Sequence, residues 1–213
     1  MSKPLPTSVR THFTALRFLL VMTVILGIAY PLLVTGISQV AFSQKANGSI
    51  IKSADGKEIG SSLIGQNFNL PKKNPNDPNE QAQPDPKFFQ PRPSAAGSTG
   101  YDPTSSSGTN LGPNSDVLLK SVNAARASVA AFDGVDPATV PADAVTSSGS
   151  GLDPNISVAY ADEQVNRVAK ARNLTVDQVN ALVAKYTESR SLGFLGDPGV
   201  NVLELNNALN ELK

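Results

Sequence analysis

Residues 18–44, FLLVMTVILGIAYPLLVTGISQVAFSQ, form a run of 27 residues without a charge, flanked by Arg17 and Lys45. Nothing else limits the fold as strongly, because such a run belongs either inside protein or in lipid. As a helix at about 1.5 Å per residue it reaches about 40 Å, beyond the roughly 30 Å hydrocarbon core. Phe18–Val40 suffices for one tilted crossing. A cleaved signal peptide has a shorter apolar region ending in a small-residue cleavage site, and this run offers neither. The expectation is one retained transmembrane helix, 18–41. Pro31 in its middle deletes a backbone hydrogen bond and predicts a kink, which membranes tolerate when neighbouring helices resatisfy the backbone.

The other apolar stretches are short and broken by charge, so a single span is expected. Charge balances at 18 Lys/Arg against 18 Asp/Glu but is unevenly placed. Residues 1–17 carry Lys3, Arg10 and Arg17 and no acid, whereas every Asp and Glu lies at Asp55 or beyond. The positive-inside rule then makes 1–17 a short cytoplasmic tail and puts 42–213 outside. That outer part is long enough for one domain with its own core. It is mildly acidic without basic clusters, which excludes nucleic acid as a partner. The absence of cysteine excludes disulfides and thiolate metal sites.

Past the anchor, Gly48–Gly60 reads as two short strands joined at Asp55-Gly56, a pair suited to a type I′ turn with positive φ at both residues. Residues 61–68 are expected to prolong the second strand. Half of the 16 prolines then fall within residues 71–103. Residues 71–86 are nearly devoid of apolar side chains and read as an exposed or mobile loop. Phe88–Ser94 reads as a docked loop, and 97–114 as a Gly/Ser/Asn-rich one. Together 71–110 form a long loop region of the kind that is functional or inserted.

Helical signals dominate afterwards. Leu118, Val122, Ala125, Val129 and Phe132 share one face after an N-cap at Asn114 or Ser115, with Pro137 and Pro141 ending the helix. Residues 143–146 read as a further strand and 147–154 as a glycine-rich turn. A second helix spans about Val158–Arg172. Thr175-x-x-Gln178 forms a capping box for a third, and Asn201-x-x-Glu204 caps a fourth. Short strands first and about four helices later give an α+β domain.

Few constellations carry chemistry. The single histidine, His12, lies beside the membrane, so a Ser-His-Asp triad is excluded for the outer domain. No P-loop sequence is present. Six aspartates precede proline, a turn signal rather than an acid–base one. Ser148-Gly149-Ser150-Gly151 could cradle a phosphate with backbone N–H groups or could be plain turn chemistry. Arg92, held between two prolines, could present a fixed charge to a partner or serve a local hydrogen-bonding role. Phe89, Arg92, Tyr101 and Asn110 in the loops, and Pro31 in the anchor, are the candidate partner contacts. No metal site is expected.

Several stretches, in order, resemble one family. They are Tyr30-Pro31-Leu32-Leu33, Ala46-Asn47-Gly48-Ser49, Leu63–Phe68, Arg92-Pro93-Ser94-Ala95 and Ser107–Leu111. Ser148–Ser157, Arg167–Leu174 and Val200–Asn206 follow. The chain resembles the C subunit of the bacterial Kdp-type potassium-transporting ATPase over nearly everything from residue 20 on. The 71–86 loop looks longer than usual for the family, Gln90 stands where glycine is common, and Thr109 replaces a common serine. The resemblance implies a non-catalytic subunit in the bacterial inner (plasma) membrane. Its implied partners are a P-type ATPase subunit, a channel-like potassium-binding subunit and a small single-span subunit. Within the family this subunit is described as a catalytic chaperone that raises the pump's apparent ATP affinity. Ser148–Gly151 would then touch nucleotide, with no cofactor held tightly.

That implication conflicts with the charge asymmetry, which places the Ser147–Gly151 turn across the bilayer from cytoplasmic ATP. Two other readings compete. One is an anchored extracytoplasmic hydrolase using a Ser-Lys pair, for example Ser94 or Ser106 with a lysine, or a carboxylate pair. The other is an anchored solute-binding module around Phe88, Phe89 and Tyr101.

Overall fold

The computed structural model describes residues 6–74, 77, 80 and 82–212. Residues 1–5 of the expected tail, with Lys3, and residues 75, 76, 78, 79 and 81 of the proline-rich loop lie outside the described residues. Contacts divide the chain into two units, Met1–Ser49 and Ile50–Lys213.

In the first unit, helix α1 (Thr7–Val24) runs through a π-helical turn (Ile25–Ala29) into α2 (Tyr30–Ala41). The helix starts at Thr7, so the described end of the expected tail is helical too. There Thr11 and Thr14 hydroxyls donate back to the carbonyls of Thr7 and Arg10. None of these three segments buries a residue within the chain. The expected disturbance at Pro31 takes the form of the wide turn just before it. A proline there cannot bond the carbonyl four residues back, and its ring crowds that carbonyl. A one-turn helix, α3 (Ser43–Ala46), follows, and the Asn47 side chain exchanges hydrogen bonds with Gln39 across it.

The second unit opens with a hairpin, β1 (Ile50–Lys52) against β2 (Glu58–Ser61). Its turn is not type I′. Gly56 alone has positive φ, at 82°, and its N–H donates to the Ser53 carbonyl, which closes a three-residue loop over Ala54–Gly56. Strand β2 does not continue to residue 68; a turn in which Ile64 N–H donates to Ser61 ends it.

Four helices match the local signals. Helix α4 (Asp116–Asp133) starts at Ser115, whose Oγ accepts the Leu118 N–H, and stops at Gly134, before the prolines expected to end it. Residues 142–145 form a helical turn, α5 (Ala142–Val145), where a strand was expected; Pro141 starts it and Thr146 returns to extended backbone. Helices α6 (Val158–Arg172), α7 (Val176–Lys185) and α8 (Val202–Glu211) are capped by Ser157, the Thr175/Gln178 box and Asn201.

The domain's second sheet lies among these helices, where no strand was expected. Strand β3 (Asn155–Ser157) pairs antiparallel with β5 (Gly199–Asn201), which pairs antiparallel with β4 (Thr187–Glu188). Helix α6 packs on α4, α7 and this sheet. Its Ala161, Val165 and Val168 join Ile156, Val179, Val200, Leu205 and Leu209 in the core. The fold is mixed helix and strand, with one apolar N-terminal helix.

Candidate functional site

The long loop region is held from inside by polar side chains of α6 and α8. Arg167 is the centre. Its Nε lies 2.5 Å from Asp133 Oδ1, and both side chains are buried. Its Nη1 donates to the carbonyls of Pro86 and Phe88, its Nη2 to Gln164 Oε1, and its guanidinium carbon stands 4.4 Å from the Phe132 ring centre. Gln164 exchanges two hydrogen bonds with the backbone of Gln90, and Asn206 does the same with Phe89. Residues 86–90 are thereby fixed by groups that read the main chain. Phe89 has 0% exposure and sits in the core, so it is corrected from a partner contact to a core residue. Gln90, also buried, donates from Nε2 to the carbonyls of Phe68 and Asp85.

Nearby, Leu70 N–H donates to Gln83 and Asp85 N–H to Phe68, making a neck that closes the 71–82 segment. Within that segment, Glu80 accepts the backbone N–H groups of Lys73 and Asn74, which hold its carboxyl below the ordinary range.

An outer set of loops gathers around Ser147–Gly151. Gly151 is buried at φ +67°, and a Cβ there would stand 2.7 Å from Ser107 O and 2.8 Å from Ala96 N. Three loops approach too closely for any side chain. Ser94 Oγ donates to Gly151 O and accepts the N–H groups of Ala96 and Tyr101. One donor and two acceptors are all that a hydroxyl has. Ser94 is thus a structural knot rather than a presented nucleophile. Ser106 Oγ and Ser107 N–H both donate to Ser150 O, and Gly65 N–H donates to Leu152 O.

The turn also satisfies itself. Gly151 N–H donates to Ser148 Oγ and Leu152 N–H to Ser150 Oγ. Gly149 and Ser150 are exposed, and their own N–H groups have no partner among the described residues. Of the four N–H groups expected to form the cradle over 148–151, only that of Gly151 has a partner among the described residues, so those of Ser148, Gly149 and Ser150 are the free donors.

Arg92 joins the knot from the side. It donates to Thr146 O at 3.4 Å and pairs with Asp153 at 3.3 Å, both side chains being partly exposed. The Tyr101 hydroxyl donates to Arg92 O, and Tyr101 itself is at φ +58°. Burial, and then the Asp153 carboxylate, push the Tyr101 phenol above its ordinary range, so it remains a neutral donor. Asn110 is exposed at φ +52°, and Pro31 lies in the other unit.

Arg92 and Tyr101 line a cleft of about 520 Å³, together with Asn69, Gln90, Phe132 and Tyr160. Burial, and then Asp133, raise the Tyr160 phenol as well. The two phenols and the prolines give walls suited to packing, and none of these groups is poised for proton transfer near neutrality. Among the described residues no group of three or more His, Cys, Asp or Glu is placed to hold a metal. Sequence reasoning did not find Asp133, Gln164, Arg167 and Asn206. The available signal was Gln164, a polar residue on the buried stripe of α6 beside Ala161, Val165 and Val168.

Glu163 has one buried carboxylate oxygen without a hydrogen-bond partner. Burial, and then Asp133 and Asp143, raise its pKa, and burial likewise raises that of Asp133 against the pull of Arg167. Raised carboxyl values mean that the folded state holds more protons than the unfolded one. Stability therefore falls as pH rises from the ordinary carboxylate range through these raised values. Glu163→Gln is expected to stabilise the domain at pH 7 by up to about 1 kcal/mol, solvent screening limiting the gain, and to flatten the fall of stability as pH rises above the ordinary carboxylate range. Thermal unfolding of the full chain in detergent checks both; a loss of stability at pH 7 would refute the assignment.

Against known proteins, residues 12–211 match the family model described as K+-transporting ATPase, c chain (KdpC). A protein of Streptomyces avermitilis, "Potassium-transporting ATPase KdpC subunit", is 49% identical over 222 residues, covering 100% of this chain and 98% of that one. The protein of that name from Kineococcus radiotolerans is 50% identical over 209 residues, 98% of this chain and 97% of that one. The one from Mycobacterium tuberculosis is 49% identical over 205 residues, 95% and 99%.

Proposed function

The chain belongs to the family of the K+-transporting ATPase c chain, and on that premise we propose that it is the non-catalytic, membrane-anchored subunit of such a pump. The observation that carries this is the extent of the match, which runs through the apolar helix and the domain in one chain. Potassium transport and ATP hydrolysis would then belong to its partners, a channel-like subunit and a P-type ATPase subunit, with a small single-span subunit beside them. The loop knot fits an accessory role, because the hydroxyls of Ser94, Ser148 and Ser150 and the carbonyls of Ser150 and Gly151 all serve to hold the loops together.

The domain acts from outside the membrane in this reading. Three positive charges and no acid precede the apolar run 18–44, and all acids follow it. It braces the channel-like subunit near the ion entrance through Arg92, Tyr101 and Asn110 at the cleft and loop rim. The helix around Pro31 packs among partner helices. Any effect on ATP affinity is then coupling: the domain binds one pump conformation better than another, and linkage carries the difference to the nucleotide site. Direct contact of Ser148–Gly151 with ATP is the alternative that the family's chaperone description favours.

Two measurements test this. Copurification of the tagged chain from its native membrane should recover a channel-like and a P-type subunit, with potassium-stimulated ATPase activity lost when the chain is omitted. Recovery of the chain alone would overturn the subunit reading. The sequence has no cysteine, so Ser150→Cys gives this chain one thiol at the exposed edge of the turn. A membrane-impermeant thiol reagent should label it in sealed right-side-out vesicles, and ATP should not protect it. Labelling only after permeabilisation, or protection by ATP, would reject the outside placement.

A further inference from the structure

Between β4 and β5, residues 189–198 fold into a tight protruding tip. Ser191 and Leu195 exchange both backbone hydrogen bonds at 2.9 Å, and Gly193 N–H donates to Arg190 O. An Arg190–Asp197 ion pair at 2.9 Å closes the base. The apex carries Leu192, Phe194 and Leu195, which are 83%, 68% and 50% exposed. Leu192 is held at φ +55°, a left-handed region that is strained for a residue with a side chain. Three large apolar side chains are thus presented to solvent by a turn whose backbone is hydrogen-bonded at Ser191, Gly193, Phe194 and Leu195 and strained at Leu192.

We propose that this tip inserts into the lipid surface of the membrane that anchors the chain. Two observations favour lipid as the occupant. The patch is isolated: Ser189, Arg190 and Ser191 on one side and Gly196, Asp197 and Pro198 on the other are all exposed. Three side chains ringed by polar residues fall well short of the roughly 800 Å² per partner of a stable protein interface, whereas an apolar apex with a polar collar matches the headgroup boundary. Secondly, the helix Thr7–Ala41 is apolar, long enough to span a bilayer and wholly unburied in the chain. A covalent tether to a lipid-embedded helix keeps bilayer available at high effective concentration without a further binding partner. The inference stands apart from the pump reading, because lipid insertion needs no other subunit.

The sequence has no tryptophan, so Phe194→Trp makes the tip the only tryptophan in the chain. The full chain, reconstituted alone into phosphatidylcholine–phosphatidylglycerol vesicles, should emit at shorter wavelength than a Leu119→Trp control on the exposed face of α4. Bromine-labelled phosphatidylcholine should remove most of that emission while leaving the control unchanged. Emission equal to the control, open to aqueous acrylamide and untouched by bromolipid, would overturn the proposal. A shift that needs higher protein density would assign the tip to a second copy. One that appears only on adding pump subunits would assign it to a partner, and both outcomes reject lipid.

Discussion

Arg167→Met is expected to cost the domain roughly 3–5 kcal/mol, the range for breaking one side of a buried ion pair. The substitution keeps an apolar stem of similar length against Phe132, so the loss is electrostatic rather than a cavity. It leaves the buried Asp133 carboxylate without its guanidinium and the Pro86 carbonyl without its donor, while the Phe88 carbonyl keeps only the longer bond from Gln90 Nε2 at 3.3 Å. For a domain of this size the effect corresponds to a melting shift of about 10 °C. Hydrogen exchange on the full chain in detergent should show the loss first at the amides of Phe89 and Gln90, which Asn206 and Gln164 hold. The double variant Arg167→Met/Asp133→Leu should recover much of the stability, since removing both charges also removes the unpaired one. If the double variant is no better than the single, Arg167 acts through packing and the electrostatic account is wrong.

Gly151→Ala is the second large effect. Left-handed backbone at a residue with a side chain costs about 1–2 kcal/mol, and overpacking adds about 1–3 kcal/mol. The new methyl would meet the backbones of Ser107 and Ala96, neither of which is the end of a flexible side chain. We expect a total of roughly 2–5 kcal/mol, read as early exchange across residues 94–108 and 147–152. Gly149→Ala is the contrast, because nothing lies within 4 Å of a Cβ there. Its unfolding should match the parent. A change in the pump's ATP dependence with Gly149→Ala and unchanged unfolding would mean that the outer edge of the turn meets a ligand or a partner; no change would confine the turn to holding loops together. Gly151→Ala alone cannot separate these meanings, since it disturbs the knot itself.

What the sequence displayed depended on how local the signal was. Helices α4, α7 and α8 were legible because Ser115, Thr175/Gln178 and Asn201 act on amides three residues away, and α6 because its apolar residues recur at helical spacing; its cap, Ser157, was not read. The sheet β3–β5–β4 was not. Its strands have two or three residues, too few for alternation to show, and β3 pairs with a strand more than 40 positions on. The strand expected over 143–146 rested on β-branched Val145 and Thr146, yet Ala142, Asp143 and Ala144 after Pro141 favour a turn of helix. The loops were each singled out, but their convergence was not, because serine-to-carbonyl bonds such as Ser94–Gly151 have no periodic signature. Phe89 misled in a specific way: an aromatic in a proline-rich loop resembles a surface anchor until Asn206 and Gln164 are seen to draw that loop into the core.

The staples on residues 86–90 have a consequence for how such a chain can change over time. Arg167, Gln164 and Asn206 hold carbonyl and amide groups, which every residue type supplies, and so impose almost no requirement on the side chains they grip. Only Phe89 fills space that must stay filled. At Gln90 the side chain is free to do something else, and its amide adds ties of its own to Phe68 and Asp85. The neck at Phe68–Leu70 and Gln83–Asp85 confines the proline-rich segment between two fixed ends. Residues can therefore be gained or lost inside it without altering the path of the chain on either side. This part of the domain can diverge in letters and in length while its shape is inherited from two helices elsewhere in the sequence.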